Sequence, residues 1–197
     1  SPRTEEILNI LKEKDVKATF FVIGREDEYS KSLMRRIVEE GHTIAMHSYT
    51  HNYKEIYVSV EAYLADMERL FNLVSETTGQ TPTIFRFPGG SINAYNSGIY
   101  QDLIAEMLRR GFVPFDWNIS SQDAAGKPLA AEVLTYNVTA GAGKLSRGVV
   151  LMHDAAAKAT TVQALPGIID ALRAQGFELK ALTPNDKPVL FPYRNAG

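Results

Sequence analysis

The sequence predicts an α/β fold built on a parallel sheet, barrel-like or doubly wound, and three observations carry that prediction. Apolar stripes at helical spacing alternate along the chain with short runs rich in β-branched and aromatic residues. Several stripes close on a glycine (Gly41, Gly111, Gly176) that leads straight into the next apolar run. Polar residues foreign to buried strands gather at the carboxyl ends of those runs: His47, Arg86 and Pro88, Asp123 and His153. Barrel enzymes build their sites on that rim, so the pattern favours a closed or nearly closed barrel with a working face.

Residues 4–14 carry apolar side chains at 7, 8, 10 and 11, a helix stripe, with Ser1-Pro2 as cap and first-turn proline. The run "VKATFFVIG" (16–24) reads as a buried strand, 30–41 as a helix and "HTIAMH" (42–47) as a short strand. A long amphipathic helix follows at about 59–78, then strand 83–88, helix 97–111, strand 112–119 and a helix near 130–140. The series ends with strand 148–154, helix 162–176 and strand 177–182. No Pro/Gly/Ser-rich linker or shift in charge divides the chain, so one domain over 1–197 is expected.

With 197 residues, 45% hydrophobic and 22% charged, the chain can enclose a sizeable core and is a poor candidate for disorder. A formal net charge of -2 gives no electrostatic reason to expect nucleic acid or an anionic membrane as partner. No run is long and apolar enough to span a membrane, and the opening residues lack the pattern of a signal peptide. Cysteine is absent, which removes disulfides, thiolate metal sites and cysteine nucleophiles together. Any metal must be held by nitrogen and oxygen.

The chain has four histidines, and two of them, His47 and His51 in "MHSYTH" (46–51), stand four apart between a strand and a loop. There two imidazoles can converge on one ion and leave positions for a carboxylate and water, the open arrangement of a hydrolytic zinc-type centre. The competing reading has one histidine at the strand end and the other in solvent. Likewise Arg86 could make an ordinary ion pair at the barrel mouth, and His153-Asp154 could be a strand-end turn. Trp117 reads as core rather than sugar platform, Asp116 and Asp154 as solvated rim charges, and His42 as structural.

Five segments in order, "ATFFVIG" (18–24), "GHTIAMHSYTH" (41–51), "FRFPGG" (85–90), "WNISSQD" (117–123) and "LMH" (151–153), resemble polysaccharide deacetylases of the NodB homology type, carbohydrate esterase family 4. The resemblance runs from Ser1 to about Leu182. It implies a distorted (β/α) barrel that uses a divalent metal, zinc foremost with cobalt or another ion as alternatives, to remove N-acetyl groups from chitin-like or peptidoglycan polymers. It implies His47 and His51 as metal ligands, Arg86 as the arginine that orients the catalytic aspartate, and Asp123 as the carboxylate that tunes the acid histidine, His153. Pro88 and Gly89 fall on the substrate side, with a backbone N–H at Gly89 for the oxyanion, and Leu151 resembles the apolar wall of the acetyl pocket. The expected arrangement has the two metal histidines facing Arg86 and His153 across a cleft. The expected setting is the cell wall or exterior of a bacterium, with any targeting segment outside this chain.

Three departures qualify the resemblance. "FPGG" has glycine where an aromatic commonly precedes the last glycine, which removes a wall of the groove, and Ala124 stands in place of a common tryptophan. The family opens with a strand ending in Asp-Asp, base and third metal ligand, whereas this chain opens at Ser1-Pro2. The chain by itself is therefore expected to fold, to bind metal weakly and to be catalytically silent, with Arg86 turned to solvent, an anion or another acidic side chain. The edge of 16–24 would be covered by "KPVLFPY" (187–193) or by a second copy of the chain, making a homo-oligomer. Two other readings stand beside the deacetylase: a non-catalytic carbohydrate-binding relative, and a metal hydrolase acting on a small amide.

Overall fold

Four parallel strands, β1 (Thr19–Ile23), β2 (Thr43–Ser48), β3 (Ile84–Phe85) and β4 (Val113–Pro114), pair in chain order in a computed structural model that describes residues 1–192. They belong to one of two units into which the chain divides, formed by Thr19–Asp116 and residues 182–192. Helix α2 (Glu28–Glu39) joins β1 to β2, capped by the Asp27 carboxylate on the Ser30 N–H, and it buries Leu33, Met34 and Ile37. Fully burying side chains of this kind stabilises by about 1.5–3 kcal/mol each.

The short helix α3 (Tyr53–Ile56) leads into α4 (Val60–Thr78), which Ser59 caps at its start and the left-handed Gly79 closes. The buried stripe of α4 is Tyr63, Asp66, Met67, Leu70 and Val74, so one carboxylate stands in an otherwise apolar register. Helix α5 (Tyr100–Arg109) crosses from β3 to β4 and buries Leu103, Ile104 and Met107. Pro114 cannot donate to a ladder and lies in the last strand of the order, where that costs least.

The other unit comprises Ser1–Ala18 and Trp117–Ala181. Its α1 (Pro2–Glu13) is capped by Ser1 with Pro2 in the first turn, as its sequence predicts. β5 (Ile119–Ser120) pairs in parallel with β6 (Val150–Leu151), and α6 (Ala131–Ala142) packs on α7 (Ala159–Ala174). Ile119, Leu134, Val138, Ala142, Ala164, Ile168 and Leu172 form its core.

Two strand expectations are corrected. The run 112–119 is two strands, β4 and β5, in different sheets, because Phe115–Asn118 turns out of the ladder between them. Residues 177–182 form no strand; Phe177 and Leu179 pack on the core of the second unit instead. Among the described residues no helix is long and apolar enough to cross a membrane.

Candidate functional site

His47 owes its position to a change of register. β1 and β2 run in step from Thr19 with Thr43 to Val22 with Met46, but Ile23 then pairs with Ser48, so His47 is an extra residue as at a bulge. Its Nδ1 lies 2.7 Å from the carbonyl oxygen of Arg86. A carbonyl can only accept, so Nδ1 carries the proton and Nε2 the lone pair, the tautomer that a metal-binding imidazole uses. The His51 ring lies beside it, with centroids 5.1 Å apart.

The loop that turns His51 back is held by a carboxylate from α4. His51 sits at φ 55°, left-handed backbone that costs a residue with a Cβ about 1–2 kcal/mol. Its N–H donates to Ser48 Oγ at 2.9 Å, and that hydroxyl donates to Asp66 Oδ2 at 2.7 Å. Asp66, 6% exposed, also accepts the Tyr49 N–H (2.7 Å), the Thr50 N–H (2.9 Å) and the Thr50 hydroxyl (2.8 Å).

As a metal site the pair fits in part. Two adjacent imidazoles, one locked with its lone pair on Nε2, suit two nitrogen ligands of a divalent ion. Among the described residues no group of three or more His, Cys, Asp or Glu comes together.

Of the outcomes expected for it, solvent, an anion or another acidic side chain, Arg86 does not take the turn to solvent. It is 6% exposed, its Nε donates to the Phe115 carbonyl at 2.8 Å and Nη2 to the Asp116 carbonyl at 3.1 Å, and the guanidinium lies 4.0 Å above the Phe21 ring. Burial pushes it down to about 10 against the attraction of Asp116, which leaves it charged at neutral pH.

The turn after it is closely packed. The buried Pro88 offers its carbonyl to the Tyr57 hydroxyl at 2.7 Å, while Gly89 is exposed. Gly90 has φ 87°, and a Cβ there would collide with the Phe191 ring. The aromatic expected before the last glycine would stand at Gly89, where a Cβ would meet the Tyr53 ring; Phe191 packs on the neighbouring Gly90 instead.

That segment corrects a further expectation. Phe191 donates its N–H to Asp116 Oδ2, and the Asp116 N–H donates to the Val189 carbonyl, both at 2.7 Å, so 187–192 docks just past β4 rather than on 16–24; residue 193 lies outside the described residues. Asp116 is no rim charge: it is 1% exposed and also takes the Ser91 N–H and hydroxyl. Beside His51, an open cleft of about 450 Å³ is lined by Asn52, Tyr53, Lys54 and Tyr95, with the two tyrosine rings 5.2 Å apart.

In the other unit, Asp123 and His153 form a bonded pair. Asp123 Oδ1 lies 2.7 Å from His153 Nδ1, and Oδ2 accepts the His153 N–H at 2.7 Å and the Thr161 hydroxyl at 2.9 Å. Lys158 Nζ donates to the Asp123 carbonyl at 2.6 Å. Burial opposes ionisation of Asp123, but the His153 ring and backbone N–H and the Thr161 hydroxyl outweigh it and hold the carboxyl below its usual range. The residue before it, Gln122, is left-handed at φ 63°. Leu151 pairs with Ser120 and is partly exposed, Trp117 is half-buried, and Asp154 accepts the Thr4 hydroxyl at 2.6 Å.

The family described as Polysaccharide deacetylase matches residues 1–110. The chain belongs to the polysaccharide deacetylase family. A peptidoglycan-N-acetylglucosamine deacetylase of Bacillus cereus is 35% identical over 182 residues, covering 90% of this chain and 64% of its own length. This chain therefore spans under two thirds of that relative. The catalytic domain of a peptidoglycan N-acetylglucosamine deacetylase from Eubacterium rectale superposes with a TM-score of 0.91 at 35% identity, covering 98% of this chain and 88% of its own. A CE4 family pseudoenzyme from Bacillus anthracis superposes with a TM-score of 0.75 at 26% identity, covering 95% and 62%. The α/β class with parallel strands is borne out, and the fold is that of the deacetylase catalytic domains, the distorted barrel type.

Sequence reasoning missed Asp66, Thr161, Lys158 and the packing role of Phe191. Only Asp66 left a signal, a charge in the apolar stripe of its helix.

Proposed function

We propose that this chain is a metal-dependent deacetylase that hydrolyses the N-acetyl group of an amino sugar in a cell-wall polymer, peptidoglycan foremost and chitin-like polymers next, at the outer surface of a bacterium. The observation that carries the proposal is the matched state of two histidines: His47 and His153 each commit Nδ1–H to an acceptor and so present Nε2. His47 and His51 would hold the ion, zinc or another divalent metal. When bound, the ion supplies Lewis acidity and an activated water at neutral pH.

The remaining steps belong to side chains of this protein. The acetamide carbon gains the water oxygen while the base, the aspartate of the Asp-Asp strand tested below, takes the water's proton; the C–N bond then breaks, and acetate and an amine result. His153 delivers a proton from Nε2 to the departing nitrogen, with Asp123 fixing the ring and balancing the positive charge an acid must carry. The Gly89 N–H serves the oxyanion and Arg86 lends a fixed positive charge, while Pro88 and Leu151 are assigned to substrate binding.

A polymer suits the cleft beside His51 better than a small amide does. It is open, and Tyr53 with the exposed Tyr95 offers aromatic edges next to Asn52 and Lys54, a mixture suited to pyranose rings. The non-catalytic reading has its own support in the similarity to a pseudoenzyme and in a donor set of two. Acetate release from N-acetylated peptidoglycan and chito-oligosaccharides, with zinc or cobalt, decides between them. It is measured on the 197-residue chain and on the same chain preceded by a strand ending in Asp-Asp. Release by the second alone is expected. Sugar bound by both without release would leave the non-catalytic reading, and release by the first would assign the base and third ligand to residues within 1–197.

A further inference from the structure

We infer that Asp66, on α4, is the positioning residue of the histidine loop: it holds His51 where it can share an ion with His47. The inference rests on the assignment of those histidines as metal ligands. Asp66 reaches no histidine itself. It gathers four donors from three consecutive residues, Ser48, Tyr49 and Thr50, with two on each carboxylate oxygen. These are the residues that separate His47 from His51.

The Ser48 hydroxyl passes the connection on, accepting the His51 N–H while it donates to Asp66. His51 is the one left-handed residue of the loop, and a conformation of that kind persists only where its surroundings fix it. Among the described residues Asp66 makes no ion pair, so its negative charge is met by loop donors alone. A buried carboxylate in an apolar helix stripe is costly unless hydrogen-bonded throughout, and here the whole compensation comes from the loop. Helix and loop are thereby fixed to each other, and the loop cannot relax without leaving the charge unmet.

The chemistry distinguishes position from mere charge. Asparagine has the shape of aspartate but one acceptor oxygen, so an NH₂ must face either Ser48 and Tyr49 or Thr50. A hydroxyl can rotate to accept from that NH₂, whereas a backbone N–H cannot. Asp66→Asn therefore strands the Tyr49 or the Thr50 amide. Asp66→Glu keeps the charge and displaces it by one methylene.

The test is zinc affinity of the 197-residue chain by calorimetry, with amide exchange of Tyr49, Thr50 and His51 in the metal-free protein. Asp66→Asn and Asp66→Glu should both weaken zinc by about 10–100-fold, the usual cost of losing a group that orients a ligand. Both should speed exchange of the three amides relative to those of α5. Ser48→Ala, which cuts only the relay to His51, should weaken zinc by less, about threefold or more, and it serves where the Asp66 variants do not fold. Zinc affinity and loop exchange left unchanged by Asp66→Asn would overturn the inference. So would full affinity in Asp66→Glu, since charge alone would then suffice. If the unsubstituted chain binds no zinc, the ligand assignment falls, and unchanged exchange in the variants would overturn the role of Asp66 separately.

Discussion

The histidine loop after β2 and the Asp123–His153 pair solve the same problem with different partners. Both fix an imidazole by its Nδ1–H, both include a buried carboxylate that accepts backbone N–H groups, two at Asp66 and one at Asp123, and both place a non-glycine residue, His51 or Gln122, in left-handed backbone. They part at the group that meets the ring. His47 donates to a neutral carbonyl, which leaves the Nε2 lone pair of the neutral ring for a cation. His153 donates to a carboxylate held ionised, which can share the positive charge of an acid. One frame thus prepares a ligand and the other a proton donor.

The largest effect that could break this comparison comes from the proton donor. In an active form, His153→Ala should lower turnover by about 10²–10⁴-fold with substrate affinity little changed. A loss confined to KM would make His153 a binding residue. Next, His47→Ala or His51→Ala should abolish stoichiometric zinc binding, while His153→Ala leaves it intact; calorimetry on the three variants reads this directly.

Acid stability sharpens the contrast. Asp123 is depressed in the native state, so between its native value and the unfolded value near about 3.9 the unfolded chain binds more protons and stability rises with pH. The contribution is whole above the unfolded value and is lost as pH falls through the native one. Asp123→Asn should flatten the acid limb of urea-unfolding stability, and an undiminished slope would show that another carboxyl carries it.

The smallest effects concern strain. Gln122→Gly should gain stability, by up to about 1 kcal/mol, because glycine adopts its backbone at no steric cost. His51→Gly should be no less stable than the parent yet lose zinc, which would separate the strain from the function it serves. Chemical unfolding of both variants checks the point.

Spacing at a strand end pointed to His47 with His51, and the family resemblance paired Asp123 with His153; His47 and His51 do lie together, and Asp123 does meet His153. The helices were legible from their stripes, with Ser1 read as a cap; Ser59 and Gly79 cap α4 as well, which its stripe alone did not announce. What escaped depends on partners distant in the chain. The extra residue at His47 exists only relative to β1, and the break at Phe115–Asn118 only because two sheets claim the two ends of one apolar run. Asp116 read as a rim charge because nothing local reveals that Ser91 and Phe191 supply its donors. Nor does anything local to Gly90 reveal the Phe191 ring packed on it, a hundred residues on.

The most direct test is imidazole ¹⁵N NMR of the 197-residue chain during a zinc titration at neutral pH. The account predicts Nδ1-protonated rings for neutral His47 and His153, with zinc moving Nε2 of His47 and a ring nitrogen of His51 while both nitrogens of His153 stay in place. An Nε2-protonated His47 in the metal-free protein, or zinc binding at His153 in preference to the other two, would contradict it.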